Sequence, residues 1–137
     1  MIEMELNKII INEKRNEQVI VLKEKSGARM LPIVIGLLEA TAIKMELGGV
    51  QPPRPMTHDL LKNVFEALGL RLQRVVIDKL EANTFYAKLV VPTNETHEKQ
   101  IDARPSDSIA LAVRMKAPIF VEEEVLSKSE MFNIPEE

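Results

Sequence analysis

The stretch MLPIVIGLLEATAIKMELGG, residues 30 to 49, changes character halfway along. Met30 to Ile35 is rich in β-formers, and Pro32, which lacks a backbone N–H, predicts an edge strand or a bulge. From Gly36 to Leu47 the residues are mainly Ala, Leu, Glu, Met and Lys, good helix formers, and Gly48-Gly49 stops the run. A strand therefore hands over directly to a helix. That helix is apolar on most sides (Leu37, Leu38, Ala40, Ala42, Ile43, Met45, Leu47), with Glu39 and Glu46 interrupting it on one side. Such a surface predicts burial on two faces, one of them against a second subunit, and so a homo-oligomer, expected to be a dimer.

On the amino-terminal side, residues 2 to 12 and 18 to 24 read as strands joined by the polar turn NEKRNE, a hairpin that the strand at 30 to 35 extends to a meander. On the other side, the loop from Val50 to Met56 holds three prolines, and Thr57 is placed to cap a helix that runs to Leu68 and stops at Gly69. This helix is expected to bury Leu60, Leu61, Val64, Phe65 and Leu68. A strand from Leu70 to Leu80, a turn at 81 to 83 and a strand from Thr84 to Val91 follow, the last with Phe85, Ala87, Leu89 and Val91 on one face. A further strand ends near Ala103. Ser106 is placed to cap a third helix through Met115, with Ile109, Ala112 and Val113 at core spacing, ahead of a short strand at 119 to 121. The order predicts an α+β fold: mainly antiparallel strand meanders with about three helices packed on the sheet. It is also compatible with internal duplication of a strand-strand-strand-helix unit.

The composition sets limits on function. At 137 residues, with 45% hydrophobic and 28% charged residues, the chain suits one domain, expected over residues 1 to 126, with Glu122 to Glu124 a solvated turn or strand exit and 127 to 137 a loosely held tail. There is no cysteine, so thiolate chemistry and disulfides are excluded. No apolar run approaches a membrane span, and the start MIEMELNK is unlike a signal peptide; the expected location is the cytoplasm. A net charge of -3 supplies no global field for a polyanion, so nucleic acid would have to meet a local basic site.

Two similar strings offer such a site. RPMTHDLL (Arg54 to Leu61) and RPSDSIAL (Arg104 to Leu111) each run Arg, Pro, a hydroxyl residue, an Asp and then an apolar helix. Helix capping alone accounts for Thr57, Asp59, Ser106 and Asp107. Arg54, His58, Asp102 and Arg104 are not needed to start a helix. A guanidinium beside a helix N-terminus suits phosphate, a His moves protons near neutral pH, and convergent carboxylates hold Mg²⁺ or Mn²⁺ through oxygen. The opposing reading is that Arg54 pairs with Asp107 or Arg104 with Asp59, locking the helix starts together, with Glu39 a capping or salt-bridge partner of one of these arginines. The His58-Asp59 dipeptide does not indicate a multi-histidine phosphohydrolase, since only His97, in a polar turn, remains.

RPMTHDLL, then NTFYAKL, then IDARPSDSIALAVRMKAPIFV closely resemble the bifunctional nuclease domain family, and the similarity runs from LPIVIGLLEATAI at Leu31 to about Val121. The family pattern usually has Ala at the position of Ser108, and the turn from Thr93 to Lys99 varies. Some relatives carry a further small helical module; the present sequence stops at Glu137, and a function requiring that module is not expected of it. The resemblance implies deoxyribonuclease and ribonuclease activity, with nucleic acid as a transient substrate and no organic cofactor.

Chemistry then suggests His58, Asp59 and Asp102 as catalytic candidates and Arg54 and Arg104 as phosphate-binding ones. Asp59, Asp102 and Asp107 are the candidate ligands for Mg²⁺ or Mn²⁺, and Glu39, Thr57 and Ser106 are further candidates. The competing expectation is a non-catalytic oligomeric module that binds a small anion, a nucleotide or a protein partner. Only one Tyr and four Phe are available for base stacking, so affinity for long nucleic acid is expected to be weak.

Overall fold

A computed structural model describes residues 1–12 and 14–131. Strands β1 (Ile2–Asn12), β2 (Glu17–Glu24) and β3 (Met30–Ile35) form the expected meander and lead into helix α1 (Leu37–Leu47). Helix α2 (Thr57–Ala67) follows, then β4 (Arg74–Glu81), β5 (Thr84–Pro92) and β6 (Glu98–Ala103). Helix α3 (Pro105–Met115), β7 (Ile119–Val121) and α4 (Glu123–Met131) complete the described chain. The fold is α+β: one seven-stranded sheet in the order β3-β2-β1-β7-β4-β5-β6, antiparallel except where β4 meets β7. Each side of β7 carries a three-stranded meander followed by a helix, the arrangement a duplicated unit would produce. β3 lies at an edge, where Pro32 faces no further strand.

The core lies on one face of the sheet. Val75 and Ile77 of β4 with Ala87, Leu89 and Val91 of β5 pack against Ile109 to Ala112 of α3. α3 is buried nearly all round because the sheet lies beneath it and α1 and α2 both pack against it. Small residues at Ala110 and Ala112 let these elements approach closely.

Four expectations need correction. The strand placed at Leu70 begins only at Arg74, because residues 70 to 73 bring the chain from α2 back to the sheet; Leu70 N–H bonds Phe65 C=O at 2.8 Å after Gly69 turns at φ 70°. Glu122 is the exit from β7, but Glu123 and Glu124 are not a solvated turn: they open α4, held by Arg29 Nη1–Glu123 Oε2 at 2.7 Å and by buried Val125 and Leu126. Residues 127 to 131 of the expected tail belong to that helix, and 132 to 137 lie outside the described residues. Of the apolar residues expected to be buried in α2, only Phe65 is; Leu61 is partly covered, and Leu60, Val64 and Leu68 face out. α2 rests on another helix rather than on the broad sheet, so only a narrow stripe through His58, Leu61 and Phe65 is covered. α1 buries Ala40, Ala42 and Ile43, and Leu37, Leu38 and Leu47 are exposed on the single chain. No helix among the described residues is long and apolar enough to cross a membrane.

Candidate active site

Helices α1, α2 and α3 each carry an acid at the third helical position: Glu39 after N-cap Gly36, Asp59 after N-cap Met56 and Asp107 after N-cap Arg104. Thr57 and Ser106 therefore lie inside their helices instead of capping them, and in neither helix does the cap residue's side chain accept a bond from a free helix amide. The two Arg-Pro pairs are not equivalent either. Arg104 is itself the N-cap with Pro105 following, whereas Arg54-Pro55 precedes the cap of α2 by two residues. The structurally matched strings are MTHD and RPSD, two positions out of step with the sequence similarity.

These helix starts meet. His58 Nε2–H donates to Asp107 Oδ1 at 2.9 Å, and Arg104 Nε–H donates to Asp107 Oδ2 at 2.8 Å. Arg104 Nη2 also lies 3.7 Å from Glu39 Oε2. Residues from the amino-terminal turns of all three helices thus converge on one carboxylate and one guanidinium, adding the positive ends of three helix dipoles at one place. Burial pushes the Asp107 carboxyl up, but the bonds from Arg104 and His58 outweigh it and hold the group below the usual carboxylate range. The same pairing with Asp107 raises the Arg104 guanidinium.

Both oxygens of Asp107 are engaged, while His58 keeps one edge available. Its side chain is 10% exposed, and Nδ1 has no hydrogen-bond partner among the described residues without being sealed from solvent. The Arg104 side chain, 66% exposed, is held by the other oxygen of the same carboxylate. Ser108 Oγ–H donates to the Arg104 carbonyl at 2.9 Å and steadies the turn, a bond that an Ala at this position could not make.

Asp59 belongs to a second, linked cluster. Its Oδ2 accepts the Met56 N–H at 3.0 Å and its Oδ1 accepts Arg114 Nε–H at 2.8 Å. The Arg114 bond, followed by the Met56 bond, holds the Asp59 carboxyl low. Sequence reasoning missed Arg114. Its side chain is only 2% exposed and also donates to Ala110 C=O at 3.0 Å and Ala42 C=O at 3.1 Å, so one guanidinium ties together α1, α2 and α3. A basic residue one turn after Ala110, on a helix otherwise apolar from Ile109 to Val113, is the signal that could have found it.

The remaining candidates stand apart. Asp102 pairs with Lys88 across β5 and β6, Nζ to Oδ1 3.3 Å, whereas the adjacent Ala103 pairs with Ala87 on the core side. Asp102 therefore points to the sheet face away from the helices, and the sheet separates it from His58. Arg54 is exposed and has no ion-pair partner among the described residues. Thr57 is exposed and Ser106 buried.

Asp59, Asp102 and Asp107 each face a cationic side chain in place of one another. Among the described residues no group of three or more His, Asp or Glu side chains is placed to hold a metal ion. The donor set as arranged does not fit Mg²⁺ or Mn²⁺ held by these three residues.

The pattern of the bifunctional nuclease domain matches residues 20–133 and so includes every residue of the His58, Asp107, Arg104 and Glu39 cluster.

The chain belongs to the bifunctional nuclease domain family.

Among its relatives, an uncharacterised protein of Mycobacterium tuberculosis is 46% identical over 129 residues, spanning 94% of this chain and 76% of the relative. Bifunctional nuclease 1 of Arabidopsis thaliana is 30% identical over 105 residues, 74% of this chain. Bifunctional nuclease 1 of Oryza sativa subsp. japonica is 28% identical over 114 residues, 81% of this chain. This bifunctional nuclease domain spans about a third of the length of those two plant proteins, 32% and 34%.

Proposed function

We propose that this chain hydrolyses phosphodiester bonds in RNA and DNA, with His58 moving the proton and Arg104 holding the phosphate. The observation that carries the reading is the fixed imidazole: Asp107 anchors Nε2, leaving Nδ1 without a protein partner among the described residues, and with its other oxygen holds an exposed guanidinium where three helix N-termini converge. In this reading Nδ1 takes the proton of the water as its oxygen bonds phosphorus and the P–O bond to the leaving sugar oxygen breaks; that oxygen gains a proton from solvent, the imidazolium returns its proton to solvent, and Asp107 orients the ring and stabilises the cation meanwhile. Arg104, with Arg54 from the preceding loop, balances charge that builds on the phosphate oxygens. Asp59 and Asp102 take no part in the reaction. The family supports a nucleic-acid substrate, and the apolar residues exposed on the helices support a homo-oligomer.

A second reading, a non-catalytic module that binds a small anion or nucleotide, is favoured by one observation: Arg104 already faces two carboxylates. The test is cleavage of single-stranded RNA and DNA by purified protein, with Mg²⁺ or Mn²⁺ and with chelator, beside His58→Ala. Cleavage that survives chelation and is lost in the variant is the expected result. Nucleotide binding without cleavage in any condition would support the second reading instead.

A further inference from the structure

We propose that two copies of this chain associate through the outer face of α2, with a two-fold axis passing beside Val64. Leu60, Val64 and Leu68 are 56%, 43% and 68% exposed. They stand at i, i+4 and i+8 and form one continuous ridge. The other exposed residues on that side, Thr57, Asn63 and Ala67, are uncharged, in a chain that is 28% charged. A neutral apolar ridge left open on a well-packed domain marks a contact surface.

The spacing selects a second copy as the occupant. A two-fold axis at Val64 sets Leu60 of one copy against Leu68 of the other, twice, so the ridge is its own complement. Ridges of i±4 residues pack against each other at about -50°, the commonest helix pairing in globular proteins. A membrane surface fits less well, because a helix lying on lipid carries several Lys or Arg on its polar face and α2 has Lys62 alone.

This inference rests on the homo-oligomer reading above and is independent of hydrolysis. Light scattering on the full chain at micromolar concentrations should give twice the 15.5 kDa chain mass. Leu60→Glu/Leu68→Glu should give the chain mass with an unchanged far-ultraviolet circular dichroism spectrum, since both positions are exposed in the single chain. Leu60→Gln/Leu68→Gln is measured alongside in case the charged pair misfolds. Because the chain has no cysteine, Val64→Cys should form a disulfide-linked dimer under mild oxidation and Glu66→Cys, on another side of α2, should not. A wild-type protein at monomer mass would overturn both the homo-oligomer reading and this surface. A wild-type dimer with dimeric variants and no Val64→Cys cross-link would leave the oligomer standing and overturn the surface.

Discussion

His58 and Asp107 lie 49 positions apart in the chain and 2.9 Å apart in space, joining the start of α2 to the start of α3. The bond fixes which ring nitrogen faces the protein and which is available for chemistry. His58→Ala is expected to lower kcat for cleavage of single-stranded RNA by about 100-fold or more, the usual contribution of a positioned proton-transfer group. Asp107→Asn should also lower kcat, since a neutral amide stabilises an imidazolium poorly. Steady-state kinetics on variants with unchanged circular dichroism check both.

Arg104 reaches Asp107 and Glu39 with different nitrogens of one planar group. A lysine is a single point of charge and cannot reproduce that fork. Arg104→Lys is expected to raise KM about 10-fold, consistent with loss of one ~1.4 kcal/mol phosphate contact, with a smaller change in kcat. An effect confined to kcat would mean that Arg104 does not bind the ground-state phosphate.

Arg114 is expected to matter for stability more than for chemistry. Replacing it with Met leaves Asp59 without its cation and removes the side-chain bonds to two helix carbonyls. Breaking a buried pair in this way typically costs ~3 kcal/mol. Urea unfolding of Arg114→Met, Asp59→Asn and the double variant should show strong coupling, with the double variant less destabilised than the sum of the two. Additive losses would show that the two side chains act independently.

The depressed carboxyls predict the direction of acid sensitivity. Asp59 and Asp107 titrate lower in the folded chain than in the unfolded one, so the unfolded state takes up protons first as pH falls. Their stabilising contribution is complete above the unfolded value of about 3.9 and is lost as pH falls through the folded values. Wild type should therefore exceed Asp59→Asn in stability near pH 7 and converge with it below about pH 4. Thermal melts across that range measure the convergence.

Much of this architecture is legible in the sequence, because strand and helix periods are local. MLPIVIGLLEATAI separates into β3 and α1, and Pro32 marks an edge, for reasons contained within a few residues. The errors arise where the answer lies elsewhere in the chain. Leu60, Val64 and Leu68 read as core because nothing local says that α2 rests on one narrow helix. Arg114 escaped notice because its partners, Asp59 and the Ala42 carbonyl, are 55 and 72 residues away. Asp102 and Arg104 are two residues apart, yet Asp102 projects to the sheet face opposite the helices; only the register of β6 on β5 reveals that.

That register yields a separate prediction. With the sheet between it and His58, Asp102→Asn should keep kcat within about 2-fold of wild type, because a surface substitution away from packed features changes little. A loss comparable to that of His58→Ala would place Asp102 in the reacting set and require a different geometry.

Phosphodiester cleavage by the imidazole held by Asp107 is read from the single-turnover rate of cleavage of one end-labelled RNA, for wild type and His58→Ala purified identically. Wild type should cleave measurably, with a rate lower by about 100-fold or more in the variant. Equal rates, or no cleavage by wild type, would contradict it.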